Sequence, residues 1–175
     1  MKNIKRKGFT LVELLIVIVV IGILSSMMMM SSTEATTSAR ASNIVSNLRN
    51  LKTAALAYYT DNLDKVTAAP NAAMANRTSH DAIFKYLGAT AVPDSDDYVF
   101  QATAAGEWYV TYTIDAAKGI TGTEKSGIKT KLAGRASSVG LCNGGSAATD
   151  SATGASPASR DVYKNTMGIV AMFIR

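Results

Sequence analysis

One uninterrupted apolar run constrains this chain more than any other feature. From Phe9 to Met30 only Thr10, Glu13, Ser25 and Ser26 are polar. At 1.5 Å per residue a helix of that span is about 33 Å long, enough to cross the hydrocarbon core of a bilayer. Upstream lie Lys2, Lys5, Arg6 and Lys7, a compact basic leader, and then Gly8, small enough for a protease subsite. A secretory signal peptide has its small-residue cleavage site after the apolar region, so the greasy part is discarded. Here the order is reversed: a cut after Gly8 removes the charge and keeps the apolar helix.

Glu13 is the anomaly within the run. A carboxylate in a lipid-facing helix is costly and calls for a partner or a function. No Lys, Arg or His follows until Arg40. Cleavage after Gly8 would create an α-amine on Phe9, one helical turn from Glu13. Amine and carboxylate could then neutralise each other within one chain or between adjacent copies.

Lys7-Gly-Phe-Thr-Leu-Val-Glu-Leu-Leu-Ile-Val-Ile-Val-Val-Ile-Gly-Ile-Leu24 resembles the N-terminal segment of type IV pilins and of the pseudopilins of type II secretion systems. The strict resemblance covers Lys7 to about Leu24; beyond it the likeness is one of architecture. It implies cleavage between Gly8 and Phe9 by a prepilin peptidase, and methylation of the Phe9 amine. It also implies that Glu13 pairs with the Phe9 amine of a neighbouring subunit during filament assembly. Where many members of that family carry proline, this chain has Met30, within the run Met27 to Met30, so no obligatory kink is expected there.

The formal charge of +5 belongs mostly to the leader. Once its four cations are removed the chain is near +1, before its termini are counted. The leader reads as a topology signal holding that end in the cytoplasm, not as a nucleic-acid-binding element. A chain of 175 residues accommodates one anchored helix and one small domain.

The helix is expected to outlast the apolar run. Ser31 to Tyr59 contains neither Gly nor Pro, and Ile44, Leu48, Leu51, Ala55 and Tyr58 or Tyr59 recur at spacings of three and four. Arg40, Asn43, Asn47, Asn50 and Lys52 fall on the other faces and can stay wet. The reading is a single helix from about Thr10 to about Thr60, on the order of 75 Å long, with a break at Ser31-Ser32 as the alternative. The expected organisation is a leader at 1–8, a transmembrane and filament-core helix at 9–30, its amphipathic continuation at 31–60, and a head at 61–175.

Within the head, Asp61 to Asn76 reads as a connector and Thr78 to Gly88 as a short helix with Ile83, Phe84 and Leu87 inward. Tyr98 to Thr103 and Glu107 to Ile114 read as strands around a turn at Gly106. In the second, Trp108, Val110, Tyr112 and Ile114 alternate with Tyr109, Thr111 and Thr113, which predicts a sheet with one packed face against the long helix. A helix over Thr123 to Leu132, ending at Gly134, should follow, then a Gly/Ala/Ser-rich mobile loop at 143–159. Met167 to Ile174 is too short to span a membrane and apolar on both faces, which predicts a central last strand. The fold class expected is α+β: a long N-terminal helix packed against a small antiparallel sheet.

Residues suited to catalysis are sparse, and no enzyme activity and no cofactor is expected. His80 is the only histidine and reads as an exposed turn residue. One His and one Cys cannot build a Cys/His zinc site. Asp94, Asp96 and Asp97 are a weak calcium candidate without the spacing of an EF-hand loop; a solvated turn is the plainer reading. Cys142 is the only cysteine, read as a half-buried thiol with a covalent dimer as the alternative. It has no partner for the disulfide that closes a C-terminal loop in many pilins. The tyrosines and Trp108 read as core and rim packing, and Met27 to Met30 as a soft lipid-facing or helix-packing collar. Lys125, Lys129, Lys131 and Arg135 read as a solvated basic group on a mobile segment, with no specific nucleic-acid site.

The resemblance therefore implies a structural subunit. Its precursor would be a single-pass inner-membrane protein with the head outside the cytoplasm, and its final state an extracellular helical polymer of identical and related pilin subunits. Prepilin peptidase, an assembly ATPase and an inner-membrane platform protein are the implied partners. A pseudopilin of a type II secretion system and a DNA-uptake filament are the alternatives within the class. A membrane-tethered binding domain is the alternative outside it.

Overall fold

The computed structural model describes residues 9–63, 82–88, 97–102, 106–115, 117, 119–144 and 161–175, without the side chains of 29–32 and 102. Helix α1 spans Leu11–Asp61 without a break. Its sequence contains no proline and a single glycine, Gly22, so nothing removes a hydrogen bond from the ladder. The expected continuity through Ser31-Ser32 is present. The helix ends where the Asn62 backbone N–H and side-chain amide both donate to the Tyr58 carbonyl, at 3.1 and 3.0 Å.

Two compact units divide at Thr36 and Thr37. In the first, the large apolar side chains of Leu11 to Met28 are all exposed, from 48% at Val20 to 88% at Leu11. In the second, helix residues from Thr37 onward join a core. Ala41, Ile44, Leu48, Leu51 and Ala55 are buried at the spacing read from sequence, with Val45 and Ala54 beside them. They share one apolar cluster with the sheet and a second helix. Each large aliphatic side chain buried this way contributes about 1.5–3 kcal/mol.

Strands β1 (Tyr98–Ala102), β2 (Trp108–Thr113), β3 (Leu141–Asn143) and β4 (Ile169–Phe173) form one antiparallel sheet in the order β1-β2-β4-β3. The register pairs Phe100 with Val110, Thr111 with Ala171, and Cys142 with Ala171. β4 is central, as its two-sided apolar composition predicts. Gly106, at φ 81°, occupies the left-handed region expected at the turn between β1 and β2.

Four expectations need correction. First, β2 is packed on both faces. Trp108, Val110, Tyr112 and Ile114 enter the main cluster, but Tyr109 and Thr111 are equally buried. Tyr109 stands edge-on to Phe173 at 5.3 Å between ring centres, beside Cys142 and Ala171, so cross-strand neighbours cover the second face.

Second, the helix after β2 runs past Gly134. Helix α2 spans Gly122–Val139, with Ile128, Leu132 and Ala136 as its buried stripe. One exposed mid-helix glycine costs only about 1 kcal/mol of propensity. The stop is Gly140, left-handed at φ 77°, whose N–H reaches the Ala136 carbonyl at 2.9 Å.

Third, Asn143 is not loop but the last residue of β3, which is too short to show a pattern in sequence. Gly144 is buried and donates to the Ile169 carbonyl at 3.1 Å. Residues 145–159, the rest of the expected loop, lie outside the described residues.

Fourth, three of the four basic side chains of 125–135 are tied down on α2. Lys125 donates to the Asp115 carbonyl (2.6 Å), Lys129 pairs with the Asp115 carboxylate (2.7 Å), and Arg135 donates to the Ser42 hydroxyl (2.9 Å). Arg40 and Asn47, placed among the wet residues, are half-buried: Arg40 lies 4.0 Å from the Glu124 carboxylate and Asn47 donates to the Tyr98 hydroxyl at 3.1 Å.

The remaining aromatics pack as read. Tyr59 meets Trp108 edge-on at 5.4 Å, Tyr98 tilts against Tyr112 at 4.7 Å, and Tyr58 meets Tyr86 edge-on at 6.1 Å. The short helix at 78–88 is described from residue 82, as one helical turn passing into a 3-10 turn over Lys85–Leu87. Ile83 and Phe84 are buried there and Leu87 packs on the core.

Candidate processing and assembly site

The residues of interest stand at the start of α1. Thr10 directly precedes the first helical residue, Leu11, and the first helical bond runs from the Leu14 N–H to the Thr10 carbonyl at 3.3 Å. One oxygen of Glu13, Oε2, accepts from both the Thr10 backbone N–H (2.9 Å) and the Thr10 hydroxyl (2.8 Å). The Thr10 Oγ1 in turn accepts from the Glu13 N–H at 3.3 Å. This reciprocal arrangement is a capping box, which satisfies two of the N–H groups that a helix start leaves without partners. The carboxylate also lies at the positive end of the helix dipole.

Glu13 thus has a partner within its own chain, though an uncharged one. The partner is not the cation that a buried carboxylate calls for but the hydroxyl three residues upstream. The signal was legible: Thr-x-x-Glu directly before an apolar run is the signature of a capped helix start. The same device opens α2, where Thr121 and Glu124 exchange the equivalent bonds. Among the described residues the second oxygen of Glu13, Oε1, accepts no hydrogen bond, so it is open to a further donor.

Phe9 precedes the helix and is 82% exposed. Gly8 lies outside the described residues. The helix begins beyond Phe9, and a proteolytic cut at its amide therefore disturbs no helical hydrogen bond. α1 is the one helix among the described residues long and apolar enough to cross a membrane.

Other candidates fall elsewhere. His80, Asp94 and Asp96 lie outside the described residues. Asp97 sits before β1, where its carbonyl accepts from the Thr113 N–H at 3.2 Å. Among the described residues no three His, Cys, Asp or Glu side chains gather in a metal-binding group. Cys142 is fully rather than half buried, at 5% exposure, and its thiol donates to the Ala171 carbonyl at 3.3 Å. A disulfide-linked dimer would require β3 to come away from β4.

No curated protein and no solved structure matches the chain significantly. Residues 3–29 match the family model of the prokaryotic N-terminal methylation motif. They take in the leader's Lys5, Arg6 and Lys7, the Gly8-Phe9 junction, the Thr10–Glu13 cap and the exposed apolar helix. The chain carries the class III signal peptide of type IV pilins and pseudopilins at the head of a pilin-like α+β layout.

Proposed function

We propose that this protein is a structural subunit of a type IV pilus or pilus-like filament. A prepilin peptidase cleaves the chain after Gly8 and the new Phe9 amine is methylated. An assembly ATPase and an inner-membrane platform protein, acting on the precursor in the cytoplasmic membrane, then move the helix out of lipid and into a filament exposed at the cell surface. The driving term is burial of apolar helix flanks against those of neighbouring subunits. Glu13 supplies register by accepting the charged N-terminus of a neighbour, a pairing favoured in the dry filament interior only when the partner is in place.

The observation that carries this reading is the contrast between the two parts of α1. Beyond Thr37 its apolar stripe is spent on the head's own core, whereas from Leu11 to Met28 every large apolar side chain is exposed. Such a surface requires lipid or other helices to cover it. No catalytic role is assigned to any residue.

The test is the intact mass and N-terminal sequence of the protein in filaments sheared from producing cells. A chain beginning at methylated Phe9 in that fraction supports the proposal. A chain retaining Met1 to Gly8 and confined to membranes would overturn it, leaving the helix as the anchor of a tethered domain.

A further inference from the structure

Resting on the membrane-anchored precursor proposed above, we infer the depth at which that precursor sits: the hydrocarbon core of the bilayer takes Leu14 to Thr33, and the Thr10–Glu13 cap lies at the lipid headgroups on the leader side, not within the lipid. Three observations carry this register. The stretch 14–33 is helical throughout and belongs to one compact unit, so residue number converts to depth at a fixed rise. Glu13 and Glu34 are consecutive charged residues in sequence, and the 20 residues between them carry no charge. At 1.5 Å per residue those 20 residues span about 30 Å, the thickness of a typical hydrocarbon core.

The capping box supplies the fourth argument. A window beginning at Phe9 would bury Phe9, Leu11 and Val12, and with them Glu13 and the polar Thr10. It would release only Met29 to Thr33, three of which are hydroxyl residues. Thr10 offers Glu13 hydrogen bonds but no charge, so the carboxylate remains an ion that hydrocarbon disfavours. At the headgroups its open Oε1 is hydrated, and the same cap ties off the helix start where water meets lipid. The basic leader then lies wholly in the aqueous phase beside anionic headgroups. Phe9 and the bond preceding it also remain on the aqueous side, within reach of a protease without unwinding the helix.

The experiment is a nitroxide depth scan of the full, uncleaved chain in vesicles of phosphatidylethanolamine and phosphatidylglycerol. Single cysteines at Val12, Ile18, Ile21, Leu24 and Met28 are labelled in a Cys142→Ser background, serine retaining a donor for the Ala171 carbonyl. Relaxation by oxygen should peak near Ile23 and Leu24, with Val12 open to a water-soluble nickel chelate. A peak near Ile18 and Val19 with Val12 shielded from the chelate, five residues or about 7.5 Å away, would overturn the register while leaving the membrane reading intact. Failure of every site to be shielded would overturn both. Glu13→Leu provides an independent check: with the charge gone the peak should move toward Ile18 and Val19, and an unmoved peak would mean that Glu13 does not set the depth.

Discussion

The Thr10 hydroxyl and the Glu13 carboxylate, 2.8 Å apart, fix where α1 begins. Hydrogen exchange of the protein in detergent micelles should therefore separate two substitutions. Thr10→Ala removes both the donor and the acceptor of the side-chain bonds and should lower the protection of the first-turn amides about fivefold, the equivalent of about 1 kcal/mol. Thr10→Ser should restore it. Glu13→Gln retains an acceptor at the third helical position and should leave the helix start in place, so that any effect of this variant on assembly reports on charge alone.

Gly127 and Gly134, both in the interior of α2, should respond oppositely to added side chains. A Cβ at Gly134 meets nothing within 4 Å, whereas one at Gly127 would lie 3.1 Å from the Thr37 Cγ2. Gly134→Ala should stabilise the second unit by about 0.5–1 kcal/mol. Gly127→Leu should destabilise it by about 1–3 kcal/mol, because the larger side chain must push Thr37 aside. Thermal or urea unfolding of the fragment from Thr37 to Arg175 measures both, provided that fragment shows a cooperative transition; otherwise the full chain in detergent serves.

Acid should weaken the start of α2. The Thr121 N–H and hydroxyl, which bond the Glu124 carboxylate, hold its pKa below the ordinary value of 4.5, with Arg40 adding a smaller pull in the same direction. A carboxyl held low in the folded state contributes stability above its unfolded pKa and loses it as pH falls through the folded one. The stability gap between the native chain and Glu124→Gln should therefore be constant from neutral pH to about 5 and close below 4.5. A gap that did not change with pH would show that the carboxylate charge is immaterial to the cap.

Alkali should act through two buried tyrosines. Burial raises the pKa of Tyr98 and of Tyr163 well above the ordinary tyrosine value of 10. The unfolded chain releases these protons first, so stability should hold up to pH 10 and decline above it. In a spectrophotometric titration Tyr98→Phe and Tyr163→Phe should each remove one late-ionising group. Tyr163→Phe should also cost stability, because its hydroxyl donates to the Met167 carbonyl at 2.8 Å.

The Cys142 thiol should be unreactive toward an aromatic disulfide reagent in the native protein and fully reactive in denaturant. Its burial between β4 and the segment carrying Val162 accounts for this, since Val162 bridges Cys142 from the other edge. Native reactivity at the unfolded rate would contradict the pairing of β3.

What was legible in the sequence was whatever repeats. The stripe Ile44, Leu48, Leu51, Ala55 and the two-sided run of β4 are periodic or continuous over many residues, and both were placed correctly. β3 has three residues, too few for a period, and its pairing partners lie 27 to 31 positions away in β4. α2 outruns its sequence reading because Gly134 looks like a stop until the stripe at Ile128, Leu132 and Ala136 is seen to run past it. At the candidate site, Glu13 stands out by its cost, whereas Thr10 does not, because a hydroxyl carries no charge to announce a pairing. Glycine context was equally hidden: Gly127 reads as a weak helix residue until Thr37, 90 positions upstream, is seen against it.

The central place of β4 bears on when the sheet can close during biosynthesis. The ribosome delivers β1, β2, α2 and β3 before Ile169 to Phe173, yet β2 and β3 touch β4 and not each other. Until that strand emerges, β1 and β2 form only a hairpin, which is marginal alone in water, and β3 has no ladder to join. Closure of the sheet is therefore a late, long-range event. If the chain is exported as proposed while it is still being synthesised, its sheet cannot close until Ile169 to Phe173 has followed the rest across.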